Sequence, residues 1–544
     1  GASDGAQFYV VRSRPITSLY PMIQEQPADD TLHVYGSFNH AQVMLDPIKP
    51  LGISVIQMLL PFGKDNHRFC WNSRFLQEAG GRLYFDITEL LRHPTAHKIL
   101  PQSVEVAGDL LATSINAVLQ RPRFQREMKT ARRISTVQAI RNLIGPMIAR
   151  IVPNLLWRKP GQRAEQLEQY IRKHTAIARA ELEAVAPGEA RFNRMIKQLS
   201  SLFQTHLLKH FFPTVGASIL AQKMLAKLSK KSFSDPLFSA LALGLPGNIT
   251  TEMDLRIADL STQLKDLPKV LHCLETSPNP EGLQQIEVME DGPEFVAAFQ
   301  SLLDDFGMRA PAEIDITRTR WNEEPTPLLK MIVAQAKQPN RQDHRAHHHN
   351  LKQRGDEAGQ TLIEEIRKQP YGWFKARIAR RLIRVQRNLM GIREHHKYMM
   401  VCFLDIAKKM LKQEANRQVE CGNLKQAQDF EFLTLEEISE MLREPPLSKD
   451  WDALIEERRQ AHEDHKELSP PAVLTSEGEA LNRQRQRDDI PEDALPGSPA
   501  SSGTVGGIAR VVHDPTEASL AEGEILVAPF TDPGWTPLFI HASG

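Results

Sequence analysis

The sequence predicts a mostly α protein, with one large helical domain between two short segments that carry strands. Three observations predict it. From about residue 100 to 465, apolar residues recur at three- and four-residue steps, as in Leu110, Leu111, Ile115, Val118 and Leu119, or Ile144, Met147, Ile148 and Ile151. That is the period of helices with one buried face. Runs rich in β-branched and aromatic residues fall instead near the ends, at Gln7–Val11, Leu83–Ile87, Ile508–Val512 and Ile525–Val527, with Gly and Pro around them. At 544 residues the chain is also too long for a single core, and its length suggests about three domains.

Composition narrows the function classes. A hydrophobic content of 41% with 25% charged residues is ordinary for a globular protein. The formal net charge is zero, which argues against a general nucleic-acid binder. Cys70, Cys273, Cys402 and Cys421 are scattered without a CxxC pair, a usage that fits a reducing, cytoplasmic setting and offers no metal or disulfide framework. No run of about 18 apolar residues suggests a membrane span. Neither nucleic acid nor membrane is an expected partner. The start, Gly-Ala-Ser-Asp-Gly, lacks an initiator Met and reads as the interior of a longer chain.

In order, Gln7–Val11 reads as a strand running into Arg12-Ser-Arg14-Pro15. Pro15 pushes Arg14 into an extended conformation, from which its fork can meet a phosphate. Ile53–Leu60 is apolar enough for a buried helix, and Gly80-Gly81 marks a turn into the strand Leu83–Ile87, with Thr88 a candidate cap for the next helix. Gln162–Ala186 and Leu202–Leu228 read as helices. Asn248 or Thr250 is a candidate cap, and Phe306–Trp321 is a Pro-bounded loop. His344 and His348 share a helical face, but no local acid or Cys completes a metal site, and none is assigned.

The run Pro370–Met400 holds a buried stripe of Ile378, Leu382, Val385, Leu389 and Ile392, with its basic residues largely off that stripe. Arg393 and Lys397 stand four residues apart. On a continuous helix they share a face and make a two-cation clamp for a phosphoryl group. Glu394 points elsewhere, as a base for a hydroxyl or as an ion-pair partner. Glu477–Asp493 is polar and reads as a linker.

Several stretches then resemble a known family. They are Ser37–Ser54 with Gln42 and Asp46-Pro-Ile-Lys-Pro-Leu-Gly52, Ala79–Leu83, Asn248–Met253, Phe306–Arg309 with Glu313–Thr317, Arg393-Glu394-x-x-Lys397-Tyr398, Phe430–Thr434 and Thr531–Leu538. In this order they resemble the rifampicin phosphotransferase family of the phosphoenolpyruvate synthase and pyruvate phosphate dikinase superfamily. The resemblance implies the end of an ATP-grasp domain at 1–20, a mostly helical substrate-binding domain at 21–476, a linker at 477–494 and the start of an α/β swivelling phosphohistidine domain at 495–544. It implies a reaction that moves phosphate from ATP, with Mg2+, through a phosphohistidine to a hydroxyl of rifampicin or a similar compound. ATP and Mg2+ would be bound mainly upstream, with Arg14 and Arg12 at the nucleotide site; Arg12 stands where the family has Gln. Gln42, Arg393, Glu394 and Lys397 would meet the acceptor hydroxyl, and Val43, Met44 and Leu51 would line its pocket or pack in the core. The family's His motif would follow Gly544, so the reading is of an inactive fragment. Alternatives are a phosphoenolpyruvate synthase-like enzyme with another acceptor, or a degenerate binding protein.

Overall fold

The computed structural model describes residues 19–23, 27, 29–60, 75–93, 109–130, 145–233, 235–337, 343–443, 450–481, 504–512, 520–521, 523–528, 531, 535, 538 and 542–544, with two short strands near the start. Those strands, β1 (Ala2–Ser3) and β2 (Phe8–Tyr9), form an antiparallel ladder. Arg12 and Arg14, and the polar stretch 482–494, lie outside the described residues.

Strands from both ends of the helical domain meet in one antiparallel sheet. Central β3 (Val34–Ser37) pairs with β5 (Arg82–Asp86) on one side and with β6 (Val473–Thr475) on the other. β4 (Leu76–Ala79) and β7 (Ala480–Leu481) form the edges. The β4–β5 turn is Gly80-Gly81, with φ of 56° and 70°. Both are left-handed, as a two-residue hairpin turn demands. β7 corrects the expected linker start: residues 477–481 turn back and pair with β6. Thr88 is also not the cap of its helix. Its N–H donates to the Asp86 carboxylate, and its hydroxyl accepts from Val34.

The helices are α1 (Phe38–Gln42), α2 (Pro50–Leu59), α3 (Thr88–Arg92), α4 (Asp109–Leu119), α5 (Pro122–Thr130), α6 (Gly145–Leu156), α7 (Pro160–Glu183), α8 (Glu189–Leu202) and α9 (Phe212–Ser229). They continue with α10 (Ile249–Lys265), α11 (Pro268–Thr276), α12 (Pro280–Glu287), α13 (Gly292–Phe306), α14 (Thr326–Ala336), α15 (His344–Arg367), α16 (Gly372–Met390), α17 (His395–Glu420), α18 (Leu435–Met441) and α19 (Trp451–Lys466). Residues 203–211, between α8 and α9, wind as a π-helix. That winding sets His206 and His210 against Tyr170 and His174 of α7, and the Tyr170 hydroxyl lies 2.9 Å from His206 Nδ1.

Apolar burial divides these elements. One large core joins α2, α6–α9 and α15–α19. A second unites α10–α14. α3, α4 and α5 cover one part of the sheet through Val34, Ile87 and Leu111. α1 and α2 cover another, where Phe38, Met44 and Ile53 pack with Leu76, Leu83 and Ile314. Local chemistry sets the helix ends. Asn248 accepts from the N–H groups of Thr250 and Thr251, and Thr434 and Glu437 form a reciprocal capping box at α18. Near the C-terminus, β8 (Ala509–Val511) and β9 (Ile525–Val527) pair in parallel, with Val512, Leu520, Trp535 and Leu538 beside them.

Candidate functional site

Three elements converge at the start of α17. The first is the turn after α1. Ser37 caps α1 by accepting from the His40 N–H. Asn39 locks the exit, donating to Met44 O at 2.6 Å and accepting from Leu83 N at 2.8 Å. Gln42 is half-buried at the last position of the helix. Val43 follows it with φ 56° and ψ 46°. A β-branched residue in the left-handed region is strained, by about 1–2 kcal/mol. The fold therefore holds a costly turn beside Gln42, a pattern common at functional sites. Met44 and Leu51 are core residues, in the sheet-side cluster and the main cluster respectively.

The second element is the loop between α13 and α14. It closes on itself, with Trp321 N–H donating to Arg309 O and Asn322 N–H to Gly307 O. Inside it Arg320 is buried and donates to Glu313 O at 2.7 Å. Burial pulls that guanidinium below the usual arginine range, against the pull of Glu313 and other nearby carboxylates. Asp315 accepts from both the N–H and the hydroxyl of Thr317.

The third element is α17, which grips this loop along one stripe. Lys397 approaches Glu313, Val401 and Cys402 pack on Met308, Asp405 accepts from Asn322, and Lys408 donates to Arg318 O at 2.6 Å. Positions 397, 401, 405 and 408 fall at helical steps. Burial pushes the Cys402 thiol up to about 12, so it stays protonated.

At the centre is a charged knot. Arg309 Nη1 lies 3.0 Å from Glu313 Oε1, and Lys397 Nζ lies 3.5 Å from the same oxygen. Side-chain exposures are 5% for Arg309, 1% for Glu313 and 27% for Lys397. Neither Glu313 oxygen has an aligned hydrogen bond, so these contacts are ionic. Two cations share one carboxylate. Arg309 meets Glu313 from the buried side, and the ammonium of Lys397 stays partly open to solvent.

This corrects the expected clamp. Residues 391–394 form a 3-10 turn between α16 and α17, so Arg393 and Lys397 do not ride one continuous α-helix. Arg393 is 60% exposed and pairs with Glu394 at 3.3 Å, while Lys397 turns to Glu313. Glu394 is thus an ion-pair partner. Gln42 and Lys397 belong to elements that meet through neighbours: Met44 packs with Ile314, next to Glu313, and Met400 packs against the same cluster.

The structure also gathers residues that single motifs did not connect. A cleft of about 380 Å³ between the start of α10 and α17 is lined by Asn248, Thr251, Arg256, Phe306, His395 and Tyr398. Glu313 entered the sequence reading only within a resembling stretch, Glu313–Thr317, and was given no role there. Its signal was an acid inside an aliphatic run, Ala312-Glu-Ile-Asp-Ile316. His344 bonds Asp259 at 2.7 Å. Among the described residues no group of three or more His, Cys, Asp or Glu could hold a metal.

The site and fold thus define a mostly helical protein with a cationic knot at the junction of a closed loop and a long helix. Residues 210–394 match the family described as Rifampicin phosphotransferase fourth domain. A rifampicin phosphotransferase of Bacillus subtilis (strain 168) is 32% identical over 99% of this chain and 59% of its own length. One from Streptomyces sviceus is 32% identical over 99% of this chain and 58% of its own length. One from Bacillus cereus is 29% identical over 98% and 59% respectively. The chain is similar to these rifampicin phosphotransferases along nearly all its length and spans 58–59% of theirs.

Proposed function

We propose that this chain is the acceptor side of a phosphotransferase. A phosphoryl group from ATP passes through a phosphohistidine to a hydroxyl of rifampicin or a similar compound, and water takes the second phosphoryl group, so that AMP and inorganic phosphate are left. The observation that carries the reading is the Arg309–Glu313–Lys397 knot, set in a chain similar to named rifampicin phosphotransferases along 99% of its length. Phosphoryl transfer spreads negative charge over three equatorial oxygens, and a cation already fixed in place stabilises it without reorganisation. Lys397 is that cation. Glu313 and Arg309 are positioning residues. Arg393, on the surface beside Glu394, adds a weaker and more mobile charge, and Gln42 orients the group by hydrogen bonding. ATP and Mg2+ belong to the nucleotide end of the reaction, with Arg12 and Arg14.

The test uses the protein expressed from its complete reading frame, incubated with ATP, Mg2+ and rifampicin and read by mass spectrometry. AMP together with phosphorylated drug is expected. AMP without modified drug would leave a dikinase with another acceptor. No AMP under any condition would overturn the reading in favour of a binding protein.

A further inference from the structure

The helices α6, α9 and α16 pack on one another. They also share a charge pattern that the net charge of zero conceals. Residues 141–164, 190–234 and 366–393 contain no Asp or Glu, and the last stretch alone carries nine Lys and Arg. On α16, Trp373, Arg377, Arg380 and Arg384 step by four, three and four residues and are all exposed. They form a single outward stripe. The end of α6 sits beside this stripe, because Arg381 donates to the carbonyls of Asn154, Leu155 and Arg158 at 2.7–3.0 Å. Trp157, in that segment, is 71% exposed, and Trp373 is 73% exposed. Tyr371 and Phe374 are exposed beside Trp373, and α9 adds exposed Ile219, Leu220 and Met224.

We propose that this α6–α9–α16 face docks on an anionic lipid surface, with the aromatic rings at headgroup level and the Arg and Lys side chains among the anionic groups. Large exposed apolar side chains in a field of one sign mark an interaction surface, and Trp with Arg and Lys is the composition that interfacial helices use. The charge of the rest of the molecule favours this occupant. Residues 270–308, across α11–α13, hold eight Asp and Glu and no Lys or Arg, so that region would be repelled by the same surface. A second copy could offer this acidic region to the basic face. Its exposed large apolar residue is Val288, which gives Trp157 and Trp373 little to pack on. Nucleic acid would match the cations and leave Ile219, Leu220 and Met224 without a role. Docking needs no span, and among the described residues no helix is long and apolar enough to cross a membrane.

The test is co-sedimentation of the chain with phosphatidylcholine vesicles, with and without phosphatidylglycerol. Partition is expected to be at least roughly tenfold stronger into the anionic vesicles and to weaken with added salt. The pairs W157A/W373A and R377E/R380E should each reduce it by about tenfold, with circular dichroism confirming that the surface variants remain folded. Equal partition into both vesicle types would overturn the proposal, as would R377E/R380E binding like the unaltered chain. So would self-association in sedimentation velocity that the same variants abolish, without vesicle binding. Binding to nucleic acid that the Trp pair leaves untouched, with no preference for anionic vesicles, would also overturn it.

Discussion

The stretch from Gly372 to Lys397 is one basic run in sequence and two different kinds of place in the structure. Within α16, Arg387 is buried and donates to the carbonyls of Leu241, Leu243 and Lys352 at 2.8–3.2 Å, with Asp356 as its ion pair. Gly355 packs directly on its guanidinium, leaving no room for a Cβ. Leu241 and Leu243 lie at the end of a 3-10 turn, and Lys352 lies within α15. At the start of α17, Lys397 meets a buried carboxylate that already holds Arg309, and keeps part of its ammonium in solvent. A cation spent on carbonyls is structural, because its bonds leave nothing for a ligand. One that shares a carboxylate with a second cation retains unneutralised charge. What separates the two is the acceptor, and the acceptor comes from elsewhere in the chain.

The largest expected effect breaks the structural half. Arg387→Ala strands buried carbonyls at about 1–3 kcal/mol each, while Asp356, which is 59% exposed, adds little to the loss. Urea unfolding should show a loss of roughly 3 kcal/mol or more. A loss under about 1 kcal/mol would mean that water replaces the guanidinium without penalty. In the other half, Lys397→Ala should lower turnover of the complete protein by about 10²-fold, near 2.7 kcal/mol of transition-state stabilisation. Arg393→Ala should cost only about tenfold, since that side chain is exposed and already paired with Glu394. Equal losses for both would restore the symmetric clamp that a continuous helix implied.

His206 lies in neither half, which gives the comparison a control. Burial pulls His206 down to about 4 from 6.5, helped by His174, His210 and Lys209. Its folded form is the poorer proton acceptor, so between about pH 6.5 and pH 4 the unfolded chain binds more protons and stability falls as pH falls. We expect a decline on the order of 1–2 kcal/mol across that window, discounted for partial exposure. It should appear equally in the unaltered chain and in Arg387→Ala, and be flattened by His206→Gln. A slope that changes in Arg387→Ala would show that the decline is not set by His206 alone.

Much of the fold was legible because it rests on periodicity. Apolar spacing gave the helical body, Gly80-Gly81 gave the hairpin, and Asn248 gave a cap. The sheet was legible only in part. β6 and β7 are three and two residues long, too short to show an alternating pattern, and the pairing of β6 with β3 is a contact between the two ends of the domain. The site divided along the same line. Gln42, Arg393, Glu394 and Lys397 stood out by resemblance and spacing, but spacing also implied a continuous helix through 391–394. The partner of Lys397 was hidden because Glu313 is far away in sequence, and an acid inside an aliphatic run hints at burial without saying which cation it will meet. Arg381 and Arg387 looked like a solvated face for the same reason: carbonyl acceptors leave no mark in a sequence.

The smallest expected effect concerns Val43. Its left-handed backbone costs about 1–2 kcal/mol for a β-branched side chain, and glycine would adopt it freely. Glycine also gives the unfolded chain more freedom, which offsets about 0.4–1 kcal/mol of that gain. The Val43→Gly variant should therefore unfold within about 1 kcal/mol of the unaltered chain. Its effect on transfer tests what the strain is for. If the rigid turn holds Gln42 in position, a looser turn should lower kcat by several-fold while the unfolding midpoint stays level or rises. If Val43 is strained only because Asn39 and Leu83 pin the end of α1, kcat should not move. In that case Lys397 would be left as the main contributor of fixed charge on the acceptor side, and the contrast with Arg387 would be sharper still.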